Sequence, residues 1–261
     1  MGPPRDIKTA QRSYPKPVPN LNTIPYYSFV SNSSYNAGTL SLRKRFAHGV
    51  FFRLNYAYAK SIDAASGFNH AGDGRYSGAQ NARDLNAERG RSDFDIRDAM
   101  SVNFTYELPL GRGWLASGWQ FAGTGRAYSG QPFTPQTQAG NNDPGEPTRP
   151  DRIANGSLAN PSPDQWFDVG AFPVVPLSAF RFGNSGRNIL DGPGFVGINL
   201  SLIKRIRVRE HGEAQFRWEA FNALNHTNLK LPIDNVDVVN GATITSAQAA
   251  RVMQLGLRYQ F

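Results

Sequence analysis

Residues 251–261 alternate in character: Met253, Leu255, Leu257, Tyr259 and Phe261 on one side, Gln254, Gly256, Arg258 and Gln260 on the other. A period of two is the signature of a strand with one apolar and one polar face. The same period recurs upstream. Leu40 and Leu42 alternate with Ser41, Arg43 and Arg45, and after Ala47-His48-Gly49, a turn signal, Val50, Phe52, Leu54, Tyr56 and Tyr58 alternate with Arg53, Asn55 and their neighbours. This predicts a hairpin with arms of about ten residues, the length of a tilted strand crossing a bilayer. Further strands are predicted at Met100–Glu107, from Trp119 to Tyr128, over Val196–Leu202, over Ala214–Ala220 and at the end.

The connections alternate as well. Short turns near residues 47–49, 108–113 and 208–212 alternate with long polar stretches at 61–94, 129–193 and 225–249. Tight periplasmic turns and long extracellular loops in this order mark an antiparallel transmembrane β-barrel. Loops beyond about 12–15 residues are uncommon in compact domains, which disfavours the alternative, a soluble β-sandwich binding module. The fold class is therefore all-β. Residues 1–33 are expected to be irregular or the remnant of a preceding strand, and 34–261 to be barrel. About seven strands cannot close such a wall, because single-chain bacterial barrels have 8 or more and an unpaired edge in lipid costs several kcal/mol per backbone group. The strands are thus expected to be the C-terminal part of a larger barrel.

Composition narrows the picture. No run approaches the roughly 18 apolar residues of a spanning helix, a test that does not apply to barrels. There is no cysteine, so no thiolate chemistry. The net charge of +8 could suggest nucleic acid, but Arg43-Lys44-Arg45 and Lys204, Arg205, Arg207 and Arg209 cluster at strand ends, where long side chains reach a membrane–water interface. No nucleic-acid module appears, so no such partner is expected. The N-terminus lacks an apolar signal region; an exported protein needs one, so a longer precursor is expected.

Candidate chemistry is sparse. His48, His70, His211 and His226 lack metal-ligand spacing, and no hydrolase, phosphate-loop or zincin motif occurs. No metal, no cofactor and no enzymatic activity are expected. Asn141, Asn142, Asp143, Glu146 and Asp151 could offer oxygens to Ca²⁺, but solvated loop is the favoured reading. Asp84, Glu88, Arg89, Arg91, Asp93, Asp95, Arg97 and Asp98 form either a rim to a solute path or an internal ion-pair network; interleaved signs favour the network. Trp166, Phe167 and Phe172, in a polar loop, are candidate ligand-stacking aromatics or loop anchors. Arg53, Asn55, Asn103, Gln215, Arg217, Glu219 and Arg258 are expected to face a lumen. Tyr56, Tyr58, Phe104, Tyr106, Phe216, Trp218 and Tyr259 are expected to face lipid or form aromatic girdles.

Several runs resemble one family. They include Leu42-Arg43-Lys44-Arg45-Phe46, Leu54-Asn55-Tyr56-Ala57-Tyr58-Ala59-Lys60, Glu88-Arg89-Gly90-Arg91-Ser92-Asp93-Phe94-Asp95-Ile96-Arg97 and Tyr106-Glu107-Leu108-Pro109. Phe182-Gly183-Asn184-Ser185-Gly186-Arg187-Asn188, Phe216-Arg217-Trp218-Glu219-Ala220-Phe221-Asn222 and the terminal strand continue the series. Together they resemble the late barrel of TonB-dependent receptors of the Oar-like type. The resemblance implies a barrel of about 22 strands in the cell outer membrane, a plug in parts outside this chain, and energised uptake of a siderophore, oligosaccharide or peptide. The implied partners are outer-membrane lipid, TonB (through those N-terminal parts), a small ligand, and the barrel-assembly machinery, which would read Leu257, Tyr259 and Phe261. A non-transporting display or adhesion barrel is the alternative.

Overall fold

The computed structural model describes residues 30–66, 79–81, 84–137, 148–179, 181–208 and 212–261. Seven long strands make one meander: β1 (Ser34–Ala47), β2 (Val50–Asp63), β4 (Asp98–Leu108), β5 (Trp119–Tyr128), β10 (Phe195–Arg207), β11 (Glu213–Phe221) and β12 (Val252–Gln260). Short strands lie in the long connections: β3 (Gly90–Arg91), β6 (Pro132–Phe133), β7 (Ser157–Ser162), β8 (Gln165–Phe167) and β9 (Leu190–Asp191). The sheet order is β1-β2-β4-β5-β10-β11-β12, every neighbour antiparallel, with β3 added beside β2. All seven predicted strands exist. Helical structure among the described residues is limited to 3-10 turns at Leu85–Glu88, Val169–Ala171 and Leu177–Ala179.

Turn chemistry sets the first hairpin. His48 and Gly49 have φ of 53° and 74°, the left-handed pair that a two-residue turn needs to follow strand twist. The arms run to 14 residues each, longer than predicted. The reason lies in the loop: β2 continues through Ile62 and Asp63 to pair with Arg91 and Gly90, so the first long connection starts later than residue 61. The β4–β5 connection is likewise longer than its Pro-Gly signal, spanning 109–118. Residues 1–29, with the first part of the predicted irregular segment, lie outside the described residues, as do 209–211 in the β10–β11 turn.

Directly opposite residues in an antiparallel pair share a face, so register sorts the side chains. One row joins Leu42, Leu54, Val102, Gly125 and Ile198; the next joins Lys44, Phe52, Phe104, Gly123, Leu200, Ala220 and Met253. The opposite face joins Arg43, Arg53, Asn103, Thr124 and Asn199. At Gly123 the ring of Phe104 occupies the space a Cβ would take, which lets β5 carry small residues between two bulky neighbours.

No second layer covers the apolar face among the described residues. Leu255 and Leu257 are 70% and 81% exposed, and Leu40, Leu42, Met100, Phe216 and Tyr259 are exposed too. A soluble sandwich would bury that face against another sheet. The hydrophobic cluster lies instead in the loops: Phe133, Phe167, Ala171, Phe172 and Leu190 from the second long connection, Val236 and Ala242 from the third. β1 and β12 are the two edges of the sheet and do not pair with each other.

Candidate functional site: the loop assembly and the two sheet faces

The three long connections leave the same end of the meander, and they fold together. The second and third are stitched by backbone bonds: Trp166 N–H to Ala242 O at 2.8 Å, Ile244 N–H to Pro163 O at 2.7 Å, and Val236 N–H to Gln136 O at 2.8 Å. Between them the ring of Phe167 packs against Phe133 at 5.5 Å and Phe172 at 6.0 Å. Gly156, at φ 82°, sits against the Phe172 ring where no Cβ would fit. Phe167 and Phe172 are each 1% exposed, so neither ring has a face to offer a ligand; of the two roles open to them, loop anchoring is the one the packing fits. Trp166 lies at the margin of this core, its indole N–H donating to Asp191 O at 2.8 Å.

A buried ionic network ties the first connection to the second. Arg149 donates to both carboxylate oxygens of Glu88, at 2.5 and 3.0 Å, a bidentate geometry stronger than a single bond. Arg187 pairs with Asp63 and, at 3.4 Å, with Asp93, and donates through Nε to Glu88 O at 3.0 Å. Arg91 bridges Asp95 at 2.8 Å and Asp191 at 2.5 Å. Glu88, Asp63, Asp95 and Ser92 are all buried. Of the charged cluster, Glu88, Arg91, Asp93, Asp95 and Arg97 join this internal network; Asp98 accepts from Tyr56 instead, and Asp84 and Arg89 are exposed. The network's partners Arg149, Arg187 and Asp191 come from the second connection; sequence reasoning missed them because they sit far off along the chain.

A looser ion pair closes the rim of the second connection. Arg181 donates to both oxygens of Asp151, at 2.7 and 2.5 Å, and the Asn184 N–H reaches Asp151 Oδ1 at 3.2 Å. The Arg181 hydrogen bond holds the Asp151 carboxyl below the usual carboxylate range, against a smaller opposing effect of burial.

A cavity of about 470 Å³ opens at the loop end of β4, β5 and β10, lined by Tyr56, Met100, Ala127, Tyr128, Phe195 and His226 among others. Its size and mostly apolar lining fall within the range of small-ligand sites. Tyr56 Oη donates to Asp98 at 2.6 Å, and Tyr128 stacks on Phe195 at 4.8 Å. Trp166, Phe167 and Phe172 do not line it. His226, read from sequence only as a scattered histidine, does, and its Nδ1 lies 3.1 Å from Asn228 Oδ1.

The predicted lumen residues share one face. Arg53 stands opposite Asn103, Asn55 opposite Ser101, and Gln215 opposite Arg258, with Arg217 and Glu219 at the same alternation on β11. Ser41, Asn55 and Ser101 form a hydrogen-bonded rung across three strands, at 2.9 and 3.3 Å. The predicted lipid-facing aromatics Tyr56, Phe104, Tyr106, Phe216, Trp218 and Tyr259 share the other face. Leu257 and Tyr259 lie there in β12, and Phe261 follows it, fully exposed.

Among the described residues no group of three His, Asp or Glu side chains is placed to hold a metal. His70, His211 and the calcium candidates Asn141, Asn142, Asp143 and Glu146 lie outside the described residues. What the geometry offers is an apolar sheet face, a polar opposite face, and a folded assembly of loops at one end.

No curated protein and no solved structure matches the chain. The family model described as outer membrane beta barrel domain matches residues 3–254, and with it the chain belongs to the outer membrane beta barrel domain family.

Proposed function

We propose that this chain forms part of the wall of a TonB-dependent outer-membrane receptor of the Oar-like type, one that takes up a solute across the outer membrane. The observation that carries the reading is the seven-stranded meander with an uncovered apolar face, a polar opposite face and two unpaired edge strands. Unpaired edges are not tolerated in lipid, so β1 and β12 pair with further strands in a wider barrel of about 22. The apolar face meets lipid, the polar face lines the lumen, the short turns are periplasmic and the folded loops extracellular. Solute is captured by the loop assembly and released inward by energised movement of a plug, with TonB reached through parts outside this chain. No bond is made or broken in the solute.

The test is made in the native cell. The protein should fractionate with the outer membrane, and loss of its gene and loss of TonB should abolish uptake of the same solute. Recovery as a detergent-free soluble monomer would overturn the barrel reading. Intact uptake with lost surface attachment would replace transport by the display alternative.

A further inference from the structure

We infer that the polar face of β1, β2, β4 and β5 binds a small, non-peptide anion bearing several phosphate or carboxylate groups, contacted by Arg43, Arg53 and Arg126. The inference deepens the transport reading, in which this face lines the solute's path, by naming the class of solute.

Arg43 and Arg53 stand directly opposite each other across β1 and β2. Their Cβ atoms are therefore about 4.5–5.5 Å apart, and like charges so placed destabilise a sheet. Both are exposed, and among the described residues neither meets a carboxylate. Arg126 shares the face, opposite Ser101, which is opposite Asn55. It lies two strands across and two residues along from Arg53, roughly 12 Å, and one strand further, roughly 16 Å, from Arg43. Acidic residues do not balance this half of the sheet. Asp63 is held by Arg187 at the loop end, and Glu107 is four residues from Asn103, the partner of Arg53, or about 13 Å along the strand.

The other half of the same face is different. There Arg205 lies 4.0 Å from Glu213 and donates to Gln120 at 3.2 Å, while Arg217 lies 3.4 Å from Glu219. Arg205 and Arg217 each have a carboxylate within 4.0 Å on the polar face of β10 and β11, whereas among the described residues Arg43, Arg53 and Arg126 have none. The unmatched arginines flank the neutral Ser41–Asn55–Ser101 rung, which supplies hydroxyl and amide groups to a polar solute. Guanidinium groups bind carboxylate and phosphate through paired N–H donors. Rings of Arg and Lys are a general device for passing anions through pores. An anion seated here would also relieve the Arg43–Arg53 repulsion, which a neutral solute would leave in place.

The test uses the protein purified from the native outer membrane in neutral maltoside micelles, with inorganic tripolyphosphate as probe and calorimetry as readout. The expected result is binding that weakens as salt is raised. It should fall at least about tenfold in the R43Q/R53Q double variant and stay unchanged in R205Q, where charge is already matched. Binding lost equally in R205Q would show unspecific attraction to a basic protein and overturn the inference. So would absence of binding to chain whose strand content is intact by circular dichroism. Binding of an acidic peptide such as polyglutamate, without tripolyphosphate, would assign the arginines to a polypeptide partner and also overturn it. Failure of the transport reading shows separately, as a soluble monomer or as uptake independent of TonB.

Discussion

At the scale of single residues, the loop assembly depends on a few buried groups. The Phe167 ring is fully enclosed by Phe133, Phe172 and the residues around them. Truncating it to alanine removes a large apolar side chain and leaves a cavity, a change that costs about 3–5 kcal/mol in well-packed cores. The cluster contains no long strand of the sheet, so the effect should be local. In Phe167→Ala, limited proteolysis should cut within the second connection much faster than in the parent chain while the strand signal in circular dichroism is kept. Equal cleavage rates would mean that the loops do not depend on this core.

At the scale of elements, strands and loops differ in how far their contacts reach. A strand in this sheet announces itself within eight or ten residues, because one face meets an apolar medium and the other a polar one. Thus Met100, Val102 and Phe104 against Ser101, Asn103 and Thr105 were legible without any knowledge of the neighbours. The loop fold was not, because its bonds join distant positions: Arg149 to Glu88 across 61 residues and Arg187 to Asp63 across 124. Phe167 and Phe172 show the consequence. Two aromatic residues in a polar stretch fit a stacking site or an anchor, and their packing with Val236 and Ala242 from the third connection is a contact that the local sequence does not announce. The extension of β2 to Asp63 was hidden for the same reason, since it depends on pairing with β3.

The Asp151–Arg181 junction makes a pH prediction at this scale. Its folded carboxyl titrates below the ordinary value, so its contribution is full above the unfolded value near pH 4 and fades as pH falls through the lower folded one. Hydrogen exchange at the Asn184 amide, which donates to Asp151, should therefore be slow at neutral pH and gain an acid-dependent opening below about pH 4. In Asp151→Asn that extra opening should disappear, with exchange already faster at neutral pH. An acid response persisting in the variant would trace it to another carboxylate.

For the whole molecule, the decisive question is which medium meets each face. If the barrel-assembly machinery reads the terminal strand, as proposed, Phe261→Asp expressed in the native cell should lower the protein's outer-membrane level, and an unchanged level in fractionated cells would count against that role. A sharper comparison uses neighbouring residues in mid-strand. Val102 stands between Leu54 and Gly125 on the apolar face, Asn103 between Arg53 and Thr124 on the polar one. An arginine on the lipid face of a barrel costs about 2–4 kcal/mol at the bilayer midplane, whereas lumen positions tolerate charge. Val102→Arg should therefore impair folding into lipid vesicles, read as loss of the heat-modifiable folded band on gels. Asn103→Arg, one residue away and carrying the same charge, should fold close to normally, with some loss from added repulsion to Arg53. Period-two alternation makes the two substitutions differ, and an apolar medium against one face gives that difference its sign; measuring it in lipid vesicles makes the medium the bilayer. If both variants fold equally well, that face meets no lipid, and the barrel reading fails.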